Sequence, residues 1–232
     1  MFSQAKHRVV LIEILKDLYE DPQVQTILGF KGGTAAMLFY DLPRLSVDLD
    51  FDLLDEDKKA LVLGKVKAIL DRHGILREAI EKKYTLLFII SYEKGQRTIK
   101  LDISKRKGSG SFEMKSYLGI PMLIMNQGDM VAGKLSALLT RKKFAMRDAF
   151  DLCFFLQNNW QINEKVVTVT TGLSLKKALR QAIKKVSVID KTQLLAGLGE
   201  LLDTKQKAWV KDKLKDELLF RLRLYQKIHA DT

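Results

Sequence analysis

Cysteine is almost missing from this chain: one residue, Cys153, in 232. A lone cysteine closes no internal disulfide, which excludes a disulfide-held secreted scaffold and points to a reducing compartment. Set in Leu152-Cys-Phe-Phe-Leu156, it reads as a small buried hydrophobe rather than a reactive thiol. Long apolar runs are missing too. None approaches the roughly 18 residues of a membrane span, and Thr85-Leu-Leu-Phe-Ile-Ile90 is short enough for a buried strand. No apolar segment follows Met1-Phe-Ser-Gln-Ala-Lys6, so no secretory signal is expected, and the expected location is cytoplasmic, without a membrane partner. There is no internal repeat and no low-complexity tract.

What remains is an ordinary globular composition, 47% hydrophobic and 29% charged, long enough for one large domain or two small ones. Acid is in deficit, with 28 Asp and Glu against 40 Lys and Arg, a net charge of +12. Residues 161–232 hold fifteen Lys and Arg and eight Asp and Glu, so they carry +7 and the first 160 carry +5. Such an excess favours phosphate-rich partners through counterion release, although a solvated basic surface accounts for it equally well.

Periodicity divides the chain near residue 125. The first part reads as a small mixed α/β core, residues 1–125, and the second, 126–232, as a helical domain contributing to the active-site cleft. A helix is predicted from Ser3 to Tyr19, with Val9, Val10, Ile12, Ile14, Leu15 and Leu18 as its apolar stripe. A short helix spans Ala35 to Tyr40 and stops before Pro43. Strands are predicted at Val47–Leu53, Tyr84–Tyr92 and Arg97–Ser104, with a turn at Lys94-Gly-Gln96 and a helix over Glu56–Arg72. The basic, Gly/Ser-rich stretch from Lys105 to Ser111 reads as a mobile loop. Helices are then expected at Asp129–Leu139, Arg147–Gln157, Leu175–Val186, Lys191–Leu202 and Lys207–His229. The β-branched run Val166–Thr171 leans towards helix or loop.

The chemistry centres on Ser46-Val-Asp-Leu-Asp-Phe-Asp52. On a strand, Val47, Leu49 and Phe51 face the core while Asp48, Asp50 and Asp52 share the other face. Carboxylates about 7 Å apart along a strand repel, and a divalent cation such as Mg²⁺ or Mn²⁺ compensates them. These acids equally suit a solvated edge strand. Fourteen residues before Asp48, Gly32-Gly33-Thr34 opens a helix, where glycines admit a phosphate and free N–H groups receive it. Thr34 is placed either to cap that helix or to donate to a phosphate. In Lys100-Leu-Asp-Ile-Ser104, Asp102 is a candidate third metal ligand and base for an incoming hydroxyl, or an Asp paired with Lys100 or Lys105.

The helical half adds Gly133-Lys134-Leu-Ser-Ala137-Leu-Leu-Thr-Arg141 and Arg147-Asp148-Ala-Phe-Asp151. Lys134 and Arg141 lie two turns apart on one face, and Asp148 and Asp151 share another. Lys134 suits a triphosphate, with Asp148 holding the lysine, orienting a ribose or positioning the acceptor. An internal ion-pair network, with Arg147 and Asp151 as an i,i+4 pair, is the other reading.

Together, Lys31-Gly-Gly-Thr-Ala-Ala-Met-Leu-Phe-Tyr40, Arg44-Leu-Ser-Val-Asp-Leu-Asp-Phe51 and Lys134…Ala137…Arg141…Arg147-Asp148…Asp151-Leu152 resemble the AbiEii/AbiGii-type nucleotidyltransferases. These are toxins of bacterial abortive-infection and toxin–antitoxin systems, and the likeness runs from about Gly29 to Leu156. The resemblance implies a polymerase-β-like nucleotidyltransferase core with a helical C-terminal half. It also implies NTP use with Mg²⁺ (or Mn²⁺) and, in some members, nucleotide addition to the tRNA 3′ end. Carried over, Asp48 and Asp50 become metal ligands, with Asp102 less securely fixed by the pattern. Gly33 and Thr34 become phosphate contacts, with Gly32, Arg44 and Ser46 beside them, and Lys134 and Asp148 become further active-site groups. The expected activity is NMP transfer from an NTP to an RNA hydroxyl, tRNA first, with a cognate antitoxin as a possible partner. A protein acceptor, or a silent RNA- or antitoxin-binding module, is the alternative.

Overall fold

Alternation builds the strand that matters most. In β2 (Leu49–Leu53), Leu49 and Phe51 are fully buried, whereas Asp50 and Asp52 are only part-buried on the other face. A computed structural model describes residues 2–106 and 110–229. Residues 107–109, the middle of the expected loop, lie outside them. The chain divides into two units, one of the residues before 107 with Phe112–Met125, the other of the residues from Asn126 onward.

The first unit is a seven-stranded mixed sheet with helices. Its strands are β1 (Leu28–Lys31), β2, β3 (Ile75–Glu81), β4 (Thr85–Ser91), β5 (Ile99–Ser104), β6 (Phe112–Tyr117) and β7 (Ile120–Met125), in the spatial order β3-β4-β5-β2-β1-β7-β6. β2 runs parallel to β5 and β1 parallel to β7, and the remaining neighbours are antiparallel. The helices are α1 (Gln4–Glu20), α2 (Gly32–Phe39) and α3 (Lys59–Leu70). The expected α/β core is present, with four strands that the periodicity did not predict: β1, β3, β6 and β7.

The stripe of α1 differs from the expected one. His7, Leu11, Ile14, Leu15, Leu18 and Tyr19 are buried, and Val9 is 53% exposed. At 100° per residue, positions 7, 11, 14 and 18 share one face and position 9 points away from it.

The second unit is helical, as expected: α4 (Gln127–Thr140), α5 (Met146–Gln157), α6 (Glu164–Thr171), α7 (Leu175–Ser187), α8 (Thr204–Trp209) and α9 (Lys215–Ile228). α4 packs on α5, α6 and α7, and α9 packs on α5 and α7. Val166–Thr171 lies in α6, because the Asn163 side chain caps its start and Gly172, at φ 70°, ends it. The helix expected over 191–202 is replaced by two 3₁₀ turns, Lys191–Gln193 and Gly199–Leu201. Gly197, with φ 64°, breaks the α pattern between them. A π turn at Val210–Leu214 joins α8 to α9, so the last helix begins earlier than Lys207.

Candidate functional site

β1 delivers the chain into α2 through Lys31, whose backbone is extended, and Gly32, whose φ is 79°. That left-handed residue turns the strand sharply into the helix, which is why glycine stands there. A side chain at Gly32 would start 2.6 Å from Asp50 Oδ2, so the Asp50 carboxylate rests against the start of α2. A Cβ on Gly33 would lie 2.5 Å from Arg44 Nη2 and 2.8 Å from Ser46 Oγ. Arg44 and Ser46 are both buried. Gly32, Gly33, Arg44, Ser46 and Asp50, spread over nineteen positions, thus meet at one helix N-terminus. The first N–H groups of a helix have no intrahelical acceptor and carry positive dipole. A buried guanidinium, that of Arg44, stands beside them, and such groups suit an anion.

Thr34 differs from one of its expected roles. Lys31 holds the N-cap position of α2, without a side-chain cap bond. The Thr34 side chain is fully buried, and its hydroxyl donates to the Asp48 carbonyl. It acts as a strut between α2 and the segment leading into β2. The backbone N–H of Thr34 remains one of the first N–H groups of the helix.

Three carboxylates line one face of the sheet. Asp50 pairs in register with Asp102 across the parallel β2–β5 ladder, flanked by Leu49 opposite Leu101 and Phe51 opposite Ile103. The apolar neighbours are all fully buried, so Asp50 and Asp102 point together to the other side, with Asp48 two residues back from Asp50. Asp52 is held by Lys31 Nζ at 2.5 Å. Asp102 pairs with Lys100 at 3.1 Å, and its carboxylate also accepts from the Thr85 hydroxyl. The contact with Lys100 agrees with the ion-pair reading of that residue. Among the described residues, no group of three or more His, Cys, Asp or Glu stands ready to hold a metal. Mg²⁺ needs less, since one or two carboxylates plus substrate phosphate oxygens suffice. The Asp48–Asp50 pair fits that requirement.

The unforeseen residues here are His7 and Thr85. His7, buried in α1, lies 3.0 Å from the Val47 carbonyl through Nε2 and 2.9 Å from Tyr92 Oη through Nδ1. Burial pushes its pKa below the ordinary value, partly offset by the Val47 carbonyl. A histidine at a stripe position of an amphipathic helix was the available signal. Thr85 had none, because its contact with Asp102 depends on the pairing of β4 with β5.

In the second unit, Lys134 sits between two buried carboxylates, 3.1 Å from Asp148 Oδ1 and 2.8 Å from Asp151 Oδ2. Arg141 Nε lies 2.8 Å from Asp148 Oδ2. The lysine and Asp148 do meet, in a network of two cations and two acids. Asp151 pairs with Lys134 rather than serving only an i,i+4 contact with Arg147.

A family model for the AbiEii toxin, a nucleotidyl transferase of type IV toxin–antitoxin systems, matches residues 13–224. The structure resembles JHP933 from Helicobacter pylori, with a TM-score of 0.66 and 24% identity over 100% of this chain and 96% of that one. It also resembles a candidate nucleotidyltransferase from H. pylori, with a TM-score of 0.62 and 25% identity over 98% and 96% of the two chains. No curated protein matches. No helix among the described residues is long and apolar enough to cross a membrane.

Proposed function

Since this chain belongs to the AbiEii family, the nucleotidyltransferase toxins of type IV toxin–antitoxin systems, we propose that it transfers NMP from an NTP to an RNA hydroxyl, with tRNA the foremost acceptor. The observation that carries this reading is the meeting of Asp50 with both the α2 start and Asp102. It puts anion-binding N–H groups beside paired carboxylates, as nucleotidyl transfer requires.

In this reading the N–H groups of Gly32, Gly33 and Thr34, with Arg44 and Ser46, bind the triphosphate. Asp48 and Asp50 would hold Mg²⁺ or Mn²⁺, with Asp102 as the third carboxylate, and the bound ion would supply neutralisation of phosphate charge. The acceptor hydroxyl oxygen bonds to the α-phosphorus, the bond from that phosphorus to the bridging oxygen breaks, and pyrophosphate leaves. Asp102 takes the hydroxyl proton. Lys134 and Asp148 are assigned a part in turnover. The net charge of +12 supports a polyanionic acceptor. The reading includes a cytoplasmic location and a cognate antitoxin, the latter following from the family.

The test is incubation with total tRNA, Mg²⁺ and each labelled NTP in turn. Label in RNA supports the reading. Label in protein, with RNA untouched, replaces the acceptor, and label nowhere without added chelator removes RNA transfer altogether.

A further inference from the structure

Beyond the C-terminal end of β5, the first unit has a cavity of about 450 Å³ lined by Glu56, Lys59, Lys83, Tyr84, Lys105 and Arg106. That volume lies in the range of pockets that hold small ligands. Four of its six lining side chains are cations. Lys83 Nζ lies 5.0 Å, and Arg106 Cζ 4.9 Å, from the centroid of the Tyr84 ring, and the tyrosine is 48% exposed. Lys59 and Lys105 both pair with Glu81, at 2.8 and 2.6 Å. The carboxylate anchors both ammonium groups in place, and positive charge still predominates. A merely solvated basic surface calls for neither a concavity nor an aromatic ring set among the cations.

Cations around an aromatic face suit one ligand chemistry in particular. Phosphate oxygens are drawn to the ammonium and guanidinium groups, while a nucleobase stacks on a tyrosine ring or an arginine plane. Placement narrows the choice further. Tyr84 immediately precedes Thr85, whose hydroxyl donates to the Asp102 carboxylate. Lys105 lies three residues beyond Asp102, about 10 Å along an extended chain. Alternation turns Tyr84 and Lys105 to the sheet face opposite Asp102 and Thr85, so a strand whose terminal hydroxyl reached Asp102 would pass round the ends of β4 and β5 to place a preceding nucleotide in this cavity.

We propose that the cavity binds a nucleotide of single-stranded RNA, its base stacked against Tyr84 and Arg106 and its phosphate held by Lys83 and Lys105. As an anchor for the acceptor strand, it rests on the reading of RNA as acceptor given above.

The test measures binding of a labelled single-stranded RNA oligonucleotide by fluorescence anisotropy, beside the KM for NTP. Tyr84→Ala and Arg106→Ala should each raise the RNA Kd roughly tenfold, while Tyr84→Phe binds as wild type and the KM for NTP stays unchanged. Lys94→Ala, an exposed cation elsewhere on this unit, should have little effect. Arg106 is exposed, so Arg106→Ala decides the matter if Tyr84→Ala fails to fold. Wild-type RNA affinity in the variants overturns the proposal. So does an equal loss in Lys94→Ala, which would mean charge alone, and so does a rise in KM for NTP matching the loss of RNA, which would assign the cavity to the free nucleotide. Tyr84-dependent RNA binding without any labelling of that RNA would defeat the acceptor reading and leave the binding site standing. Labelling that ignores Tyr84 and Arg106 would do the reverse.

Discussion

Asp50 on β2 stands opposite Asp102 on β5, with Leu49 opposite Leu101 and Phe51 opposite Ile103. The buried pairs fix the faces, so two like charges are brought side by side. Replacing Asp50 with Asn removes a repulsion worth up to about 1 kcal/mol and should keep the melting temperature equal or raise it by about 2 °C. Pyrophosphate release with Mg²⁺ should be abolished. Wild-type turnover in that variant would remove Asp50 from the metal site.

At the start of α2 the two glycines should respond differently. Gly32→Ala places a side chain at φ 79° and against Asp50 Oδ2, costing about 1–2 kcal/mol as well as activity. Gly33→Val meets the ends of Arg44 and Ser46, side chains that can move aside. The fold should survive while the KM for NTP rises. Calorimetry beside steady-state kinetics separates the two effects, and a simply unfolded Gly33→Val would make that glycine a packing residue.

Much of this site could be read from the sequence, because it is local. The alternation of Leu49 and Phe51 with Asp50 and Asp52 in β2, continued by Val47 and Asp48 just before it, and the glycine pair opening a helix are patterns of neighbouring residues. What escaped was set by partners distant in the chain. β1 is only four residues long, and β3 and β6 are sheet edges with mostly exposed or part-exposed residues, so neither length nor alternation marks them. β7 carries Pro121, which argues against a strand until it is seen next to the strand start, paired with Ser116 of edge strand β6. The tie of Asp102 to Thr85 follows from register, and register across seventeen residues leaves no local trace.

Lys134 neutralises two carboxylates that are almost wholly buried. Lys134→Ala should therefore lower stability by about 3 kcal/mol, visible in urea unfolding. It should also cut turnover by orders of magnitude at temperatures where the variant is fully folded. Lys142→Ala, at an exposed position, should alter neither. A folded Lys134→Ala enzyme with the wild-type rate would confine this lysine to holding α4 and α5 together.

Burial pushes the Cys153 thiol up to about 12. In the native protein it should resist thiol reagents at pH 8 and react only after denaturant is added. The unfolded thiol ionises near 8.5, so above that pH the unfolded state holds fewer protons than the folded one. The stability owed to this group is complete below about pH 8.5 and declines as pH rises towards 12. Rapid native labelling at pH 8 would contradict the burial.

The spatial order of the strands bears on synthesis as well. β1 and β2 leave the ribosome early, yet the parallel partners of β2 and β1 are β5 and β7, completed only at residues 104 and 125. Pairings so far apart form late and slowly. Until β5 emerges, Asp50 has no Asp102 opposite it, and until β7 emerges, the strand feeding the Gly32 turn has an open edge. In this order the aspartate pair stays without its assembled sheet until at least 125 of the 232 residues have been made.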